Sequence, residues 1–167
     1  MKELLLQYAA YNAWANQRIL DCITALPEAS AHQALASSFP TLYATLLHIW
    51  DTESAWYQRV RLQEHVIRPG DSFTGTIQDL ATSIRHQDQV ISSWVQQASE
   101  AALLHVMKYH TSKREPVKQP VWQVLMHAFN HSSYHRGQLV TMLRQSGVER
   151  IPNTDFIAFT WLRKPRA

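Results

Sequence analysis

Cysteine is almost absent from the sequence, which has only Cys22 among 167 residues. One thiol cannot form an internal disulfide, and it cannot build a cysteine-rich zinc site. We therefore expect a protein of the reducing cytoplasm. Cys22 also lies within an apolar helical stripe, which predicts a buried structural thiol rather than a nucleophile.

Glycine and proline are scarce as well, with 4 and 7 residues. An all-β sandwich or barrel needs a turn about every 8 to 12 residues, so this composition favours helices. No apolar run approaches the roughly 18 residues that would suggest a membrane span, and no secretory segment is evident. With 46% hydrophobic and 17% charged residues, the chain is expected to fold as one soluble domain over residues 1–167.

Concentrated positive charge is also missing, although the formal net charge is +3. Nucleic-acid binders usually gather Lys and Arg into a patch or stripe, whereas here these residues are scattered. The one tight cluster, Arg163-Lys164-Pro165-Arg166, is predicted to be a solvated tail. We therefore expect a small-molecule substrate, and neither nucleic acid nor a membrane as a partner.

Apolar residues recur at steps of three and four in four long segments, which is the spacing of amphipathic helices. The predicted helices run from about Lys2 to Leu26, from Ser37-Ser38-Phe39-Pro40 to Arg68-Pro69-Gly70-Asp71, from Thr74-Gly75-Thr76 to about Glu100, and from Gln119-Pro120 to Gln145. Helices of about 25 residues are about 37 Å long and suit side-by-side packing. The fold class is therefore all-α, a four-helix bundle.

The connection between the third and fourth helices is long and lacks the helical period. Its stretch Leu103–Val117 contains turn-forming residues and is consistent with a short hairpin. After the fourth helix, Thr154–Leu162 is predicted to form a short C-terminal helix, with Phe156, Phe159 and Trp161 supplying apolar surface for docking.

Two histidines interrupt the inward stripe of the fourth helix. The stripe reads Val124, Ala128, His131, His135, Gln138 and Met142. Residues four apart lie on one face about 6 Å apart along the axis, so His131 and His135 can both reach one ion. Two core histidines whose nitrogens are satisfied by hydrogen bonds are the alternative interpretation of the same spacing.

Spacing also permits a pair of His127 and His131, although His127 lies one position off the stripe. All three would span about 12 Å, which is long for a single ion. A tight site generally needs a third protein ligand. His48, in the middle of the second helix and near its buried stripe, is the best candidate.

Four strings in the chain form a recognisable set. They are Tyr11-Asn12-Ala13-Trp14-Ala15-Asn16, Leu46-Leu47-His48-Ile49, His127-Ala128-Phe129-Asn130-His131-Ser132-Ser133-Tyr134-His135-Arg136-Gly137-Gln138-Leu139, and Pro152-Asn153-Thr154-Asp155-Phe156-Ile157-Ala158-Phe159. These strings resemble those of the DinB-like proteins, a damage-inducible and related bacterial family. The resemblance covers nearly the whole chain. It implies a four-helix bundle that holds a divalent metal through three histidines, which correspond here to His48, His131 and His135.

The sequence also leads to predictions for residues near these three histidines. Gly137 weakens a helix by about 1 kcal/mol relative to alanine, which suggests close helix packing beside the site. Arg136 should project away from the histidines and is a candidate either to pair with an acid or, as we favour, for a purely structural role. Gln138 is a candidate either for contact with a ligand histidine or for ordinary core hydrogen bonding. Asp51 and Glu53 lie near His48 in sequence, but spacing assigns neither a role as a base.

Three neutral imidazoles would leave a divalent ion with an open position, as in catalytic sites. The chain shows no nucleophile elbow, phosphate loop or Cys-His dyad. Some DinB-like proteins resemble thiol transferases or thiol-dependent isomerases, which implies a low-molecular-weight thiol as a second cofactor. We therefore expect a metal-dependent transferase or hydrolase that activates a small thiol or water for transfer to an electrophile in stress response or detoxification. Zinc or nickel is the expected ion.

The alternative hypothesis is a non-catalytic module that binds a metal or is stabilised by one. Such a module would assemble with itself or with a partner. A homodimer is the assembly we expect, and six Trp residues could support its face. Ordinary core packing explains the same Trp residues equally well.

Overall fold

Four long amphipathic helices form the body of the protein, as the apolar stripes predict. In the computed structural model, which describes residues 1–111 and 113–162, they are α1 (Lys2–Thr24), α3 (Leu42–Val60), α4 (Ile77–Gln97) and α6 (Val121–Gln145). Helix α1 packs against α4 and α6, and α3 packs against the same two helices. This arrangement is a four-helix bundle. None of the helices in these ranges combines the length and the apolar character needed to span a bilayer.

Threonine caps define where two of the long helices begin. The hydroxyl of Thr76 accepts a hydrogen bond from the Asp79 N–H, and the Asp79 carboxylate accepts one from the Thr76 N–H, which completes a capping box for α4. The side chain of Thr41 caps α3 in the same way by accepting from the N–H of Ala44 at 3.0 Å. Helix α3 therefore begins just after Pro40, slightly later than the start that Ser37-Ser38-Phe39-Pro40 predicted.

Shorter elements connect the long helices. They are α2 (Glu28–Ala31), a 3₁₀ turn (Pro69–Asp71), α5 (Glu100–Leu104), β1 (Val106–His110), β2 (Pro116–Pro120) and α7 (Phe156–Leu162). The two strands pair antiparallel, with Met107 opposite Gln119, so the predicted hairpin is present but ends slightly later in the chain. Helix α7 docks through Phe159 against Tyr11 and Ala15 of α1. The predicted tail, Arg163-Lys164-Pro165-Arg166, lies outside the described residues.

Besides the small α7 contact, the apolar core of the described residues has two large clusters, one toward each end of the bundle. The first contains buried residues such as Ile19, Ile49, Ile84 and Leu139. The second cluster contains Leu5, Val60, Val95, Val121 and Phe129. On every long helix the members of the two clusters are separated by a stretch of sequence, and those stretches contribute buried polar side chains.

These side chains form a polar layer between the two clusters, to which all four long helices contribute. The layer consists of Asn12 and Asn16 on α1, Glu53 on α3, Asp88 on α4, and Ser132 and Arg136 on α6, each at most 5% exposed. Burying so many polar groups is tolerable only if they bond to one another. The hydrogen bonds of the layer therefore fix how the four helices align.

Two asparagine amides connect the buried cation of the layer to its acids. Arg136 Nη1 donates to Asn12 Oδ1 at 2.6 Å and to Asn16 Oδ1 at 2.8 Å. The Asn12 amide then donates to Glu53 Oε1 at 2.8 Å, and the Asn16 amide donates to Asp88 Oδ1 at 3.0 Å. Among the described residues Arg136 forms no direct ion pair with an acid, because the amides lie between the charges, and its hydrogen bonds give it a structural role.

The protonation of Asp88 makes the layer sensitive to pH. Burial raises the pKa of Asp88 well above its ordinary value and the Glu53 carboxylate raises it further, whereas the Asn16 hydrogen bond, the Arg136 charge and the Asn12 hydrogen bond lower it. A raised pKa means that the folded protein binds more protons than the unfolded chain. The stabilisation of the folded state by the protonation of Asp88 is complete below the ordinary carboxyl pKa. It is lost as the pH rises through the raised pKa of Asp88.

Arg136→Met should lower the free energy of unfolding at pH 7 by about 3 kcal/mol, because it leaves buried carboxylates without a cation. The loss should be smaller near pH 5, where protonation removes part of the uncompensated charge. Denaturant unfolding at the two pH values measures both effects. Arg144→Met, an exposed change on the same helix, should cost less than about 0.5 kcal/mol. Equal losses for the two variants would contradict the role of the layer.

Candidate metal centre

Three imidazoles meet between α3 and α6. The Nε2 atom of His131 lies 3.3 Å from Nε2 of His48 and 3.1 Å from Nε2 of His135. One ring nitrogen from each of the three lies within 4.8 Å of the other two, and in the described part of the chain they form a group able to hold a metal ion. The structure therefore brings together the three histidines that the sequence analysis selected.

The spacing of these nitrogens suits a small divalent ion. Metal–nitrogen bonds to histidine are about 2.0 to 2.1 Å long in zinc sites, and two such bonds at the tetrahedral angle place their nitrogens about 3.3 to 3.4 Å apart. The two Nε2 separations, 3.3 and 3.1 Å, are close to this value. Only small adjustments of the rings would be needed to hold an ion.

Burial keeps two of the imidazoles neutral. It lowers the pKa of His48 to about 4, and the charges of His135 and Arg68 act in the same direction. Burial likewise lowers the pKa of His131 to about 4, with further contributions from His135, His48 and His127. Because a metal ligand must be unprotonated, these side chains are ready to bind an ion at neutral pH.

Gln138 selects the ring nitrogen of His135 that faces the cluster. Its Oε1 lies 2.8 Å from His135 Nδ1 and can only accept, so Nδ1 carries the proton and the lone pair is on Nε2. The Gln138 amide nitrogen donates in turn to Ser38 Oγ at 2.8 Å. His131 has no comparable support, because its Nδ1 makes no hydrogen bond with a described residue.

Phe39 forms one wall of the cluster. Its ring stacks on His48 with a centroid distance of 4.3 Å and an interplanar angle of 28°, and it lies 5.7 Å from the ring of His135. Phe39 precedes α3 in a loop, where no periodic pattern signals its position. This contact was therefore not predictable from the spacing of residues.

His127 is not part of the three-histidine group in the described residues. Its ring packs against Trp56 at 5.0 Å and lies 6.0 Å from the ring of His131. Spacing allowed His131 to pair with either His127 or His135. In the described residues, His131 is grouped with His135 and not with His127.

The two acids near His48 in sequence have other partners. Asp51 accepts a hydrogen bond from the N–H of Gly70 at 2.7 Å and so ties the 3₁₀ turn to α3. A Cβ at Gly70 would lie 2.6 Å from an oxygen of Asp51, so the close approach needs glycine. Glu53 belongs to the polar layer and accepts from Ser132 Oγ at 2.5 Å. Neither acid is a member of the histidine group.

The expected packing role of Gly137 is wrong. A Cβ placed on Gly137 would meet no atom within 4 Å, and the residue is exposed. The helix turns this position away from its neighbours because His135 and Arg136 occupy the inward faces. The structure gives no packing reason for the glycine.

Comparisons with known proteins agree with the fold and the strings noted above. The model of the DinB family matches residues 1–167. "Protein DinB" of Bacillus subtilis (strain 168) is 26% identical in an alignment 182 residues long, which covers 98% of this chain and 98% of that protein. The crystal structure of a DinB-like protein from Bacillus cereus ATCC 10987 has a TM-score of 0.72 at 22% identity and covers 90% of this chain and 95% of that chain. The protein therefore belongs to the DinB family.

Gln138→Leu should weaken zinc binding about 10- to 100-fold, because it removes the acceptor that fixes the tautomer of His135. Competition with a chromophoric chelator measures the affinity. Gln138→Glu keeps an acceptor in place, so this variant should retain most of the zinc affinity. Gln123→Leu, the same change at an exposed position of α6, is the control. Unchanged affinity in Gln138→Leu would show that Gln138 does not position the ring.

Proposed function

We propose that this member of the DinB family is a metal-dependent enzyme that uses His48, His131 and His135 to hold a divalent ion, with zinc or nickel favoured. The observation that carries the proposal is a group of three imidazoles, two of them kept neutral by burial, with no fourth protein ligand among the described residues. Sites with three protein ligands and an exchangeable position are typically catalytic, whereas structural sites are closed by four.

An ion held there would lower the pKa of a bound water or thiol and so supply a nucleophile near neutral pH. Around that position, Phe39 covers one side of the imidazoles, while the ring of Tyr134 lies 5.0 Å from His135 and is 63% exposed. Gln138 keeps the proton of His135 on Nδ1. These contacts orient the ligands and leave a partly open side for a small molecule.

The chain's own thiol is a poor nucleophile, which supports an external one. Cys22 is half-buried and packs against the first apolar cluster. Burial raises the pKa of its thiol, so the reactive thiolate is disfavoured. We therefore propose that a low-molecular-weight thiol or water is the group transferred, and that its acceptor is an electrophile encountered in stress or detoxification.

The position of the histidine group favours a catalytic ion over one required for folding. The two apolar clusters and the polar layer fill the bundle without it. A structural ion carries folding free energy, so its removal unfolds small metal-dependent domains. Here the metal-free protein should keep its helical circular dichroism at 25 °C.

Homodimer formation stays a prediction from the sequence.

Freshly purified protein should contain about one divalent ion per chain, and His131→Ala should contain little, because two imidazoles do not make a tight site. Elemental analysis measures the content, and circular dichroism checks that the variant is folded. His86→Ala, which removes an exposed histidine from α4, is the matched control and should keep its metal. Equal metal content in the His131→Ala and His86→Ala proteins would overturn the assignment.

Zinc-loaded protein should bind a small thiol such as cysteine and release about one proton, because a coordinating thiol is deprotonated. Calorimetry in buffers of different ionisation enthalpy measures the proton release, and the chelated protein should show none. The loaded protein is then assayed with the same thiol, or with water alone, against a panel of electrophiles. Absence of both thiol binding and turnover with either nucleophile would favour a non-catalytic module.

A further inference from the structure

A second feature of the α3–α6 surface is a cavity of about 510 Å³ beside the hairpin. Trp56 and Arg59 of α3, Tyr109 and Gln119 of the hairpin, and His127 of α6 are among its lining residues. Small-molecule sites typically occupy about 300 to 1,000 Å³ and combine apolar walls with a few polar groups. We call this space the Arg59 cavity.

Two aromatic rings hold the guanidinium of Arg59 in place. Its Cζ lies 4.6 Å from the ring centroid of Trp56 and 5.8 Å from that of Tyr109. The two rings also contact each other edge to face, with centroids 5.3 Å apart. Stacking of this kind engages the face of a guanidinium and leaves its N–H edges available.

No carboxylate in the described part of the chain balances the charge of Arg59. The ion pairs among the described residues involve other cations, and the Arg59 side chain has no hydrogen bond with a described residue. Glu64 shares a neighbouring cavity with Arg59 but forms no ion pair with it. Partial burial without an acid disfavours the cation and lowers the pKa of Arg59. An anion in the cavity would remove this cost.

The chemistry of the cavity favours a carboxylate as that anion. A guanidinium edge matches the two oxygens of a carboxylate with parallel hydrogen bonds. One guanidinium balances one negative charge, whereas a phosphate dianion would leave a second charge uncompensated in a partly buried space. The rings of Trp56 and Tyr109 offer apolar surface to the rest of the ligand.

We propose that the Arg59 cavity binds a small carboxylate-bearing molecule, with Arg59 as the anchor for the carboxylate and the two rings packing against its apolar part. His127 forms the wall nearest the histidine group, since its ring lies 6.0 Å from that of His131. If the proposed enzyme function holds, this cavity receives the acidic end of the substrate. Carboxylate binding itself does not depend on that function, because Arg59, Trp56 and Tyr109 are not candidate metal ligands.

Calorimetric or NMR titration with benzoate tests the proposal, with benzamide as a neutral molecule of nearly the same shape. Benzoate should bind at least tenfold more tightly than benzamide, and this comparison needs no variant. Arg59→Gln should weaken benzoate binding at least tenfold, whereas Arg61→Gln, the same change at a nearby exposed arginine, should not alter it. The affinity should be the same in zinc-loaded and chelated protein.

Three results would overturn the proposal. Equal affinity for benzoate and benzamide would show a cavity without selectivity for anions. Undiminished benzoate binding in folded Arg59→Gln protein would place the carboxylate elsewhere. Loss of benzoate binding on chelation would place it on an ion held by the histidines, which would support the proposed metal site while contradicting the Arg59 cavity as the anion site.

Discussion

The buried guanidinium of Arg136 is the constraint on which the arrangement of the bundle depends. A cation at 2% exposure must be surrounded by acceptors, and here the acceptors come from α1 and from α6 itself. The amides of Asn12 and Asn16 pass the interaction on to the acids of α3 and α4. A helix that slid or rotated would break these bonds, so the layer fixes the alignment of all four helices.

This alignment also directs the histidines. On α6, Ser132 follows His131 and Arg136 follows His135, and successive residues of a helix point about 100° apart. With Ser132 bonded to Glu53 and Arg136 bonded to α1, the two imidazoles are turned toward His48 on α3. The same seam between α3 and α6 continues past His127 to the Arg59 cavity. A candidate ion site and a candidate anion site therefore lie along one surface.

The sequence predicted the features that depend on local periodicity. The four long helices, the common face of His131 and His135, and the central position of His48 all follow from steps of three and four. The parts that depend on distant contacts were not predictable in this way. Gln138 bonds to Ser38, 100 positions away, and Phe39 reaches His48 from a loop. The interpretation of Gly137 failed because a local helix cost does not reveal which side of the helix faces a neighbour.

The most direct test of the account is X-ray absorption spectroscopy of the zinc-loaded protein. An ion held by the three histidines should show about three imidazole nitrogens at roughly 2.0 to 2.1 Å together with a light exchangeable ligand. Outer-shell scattering from the imidazole rings should fall on His131→Ala substitution. A first shell made only of oxygen, or a spectrum that the substitution leaves unchanged, would contradict a metal centre built from His48, His131 and His135.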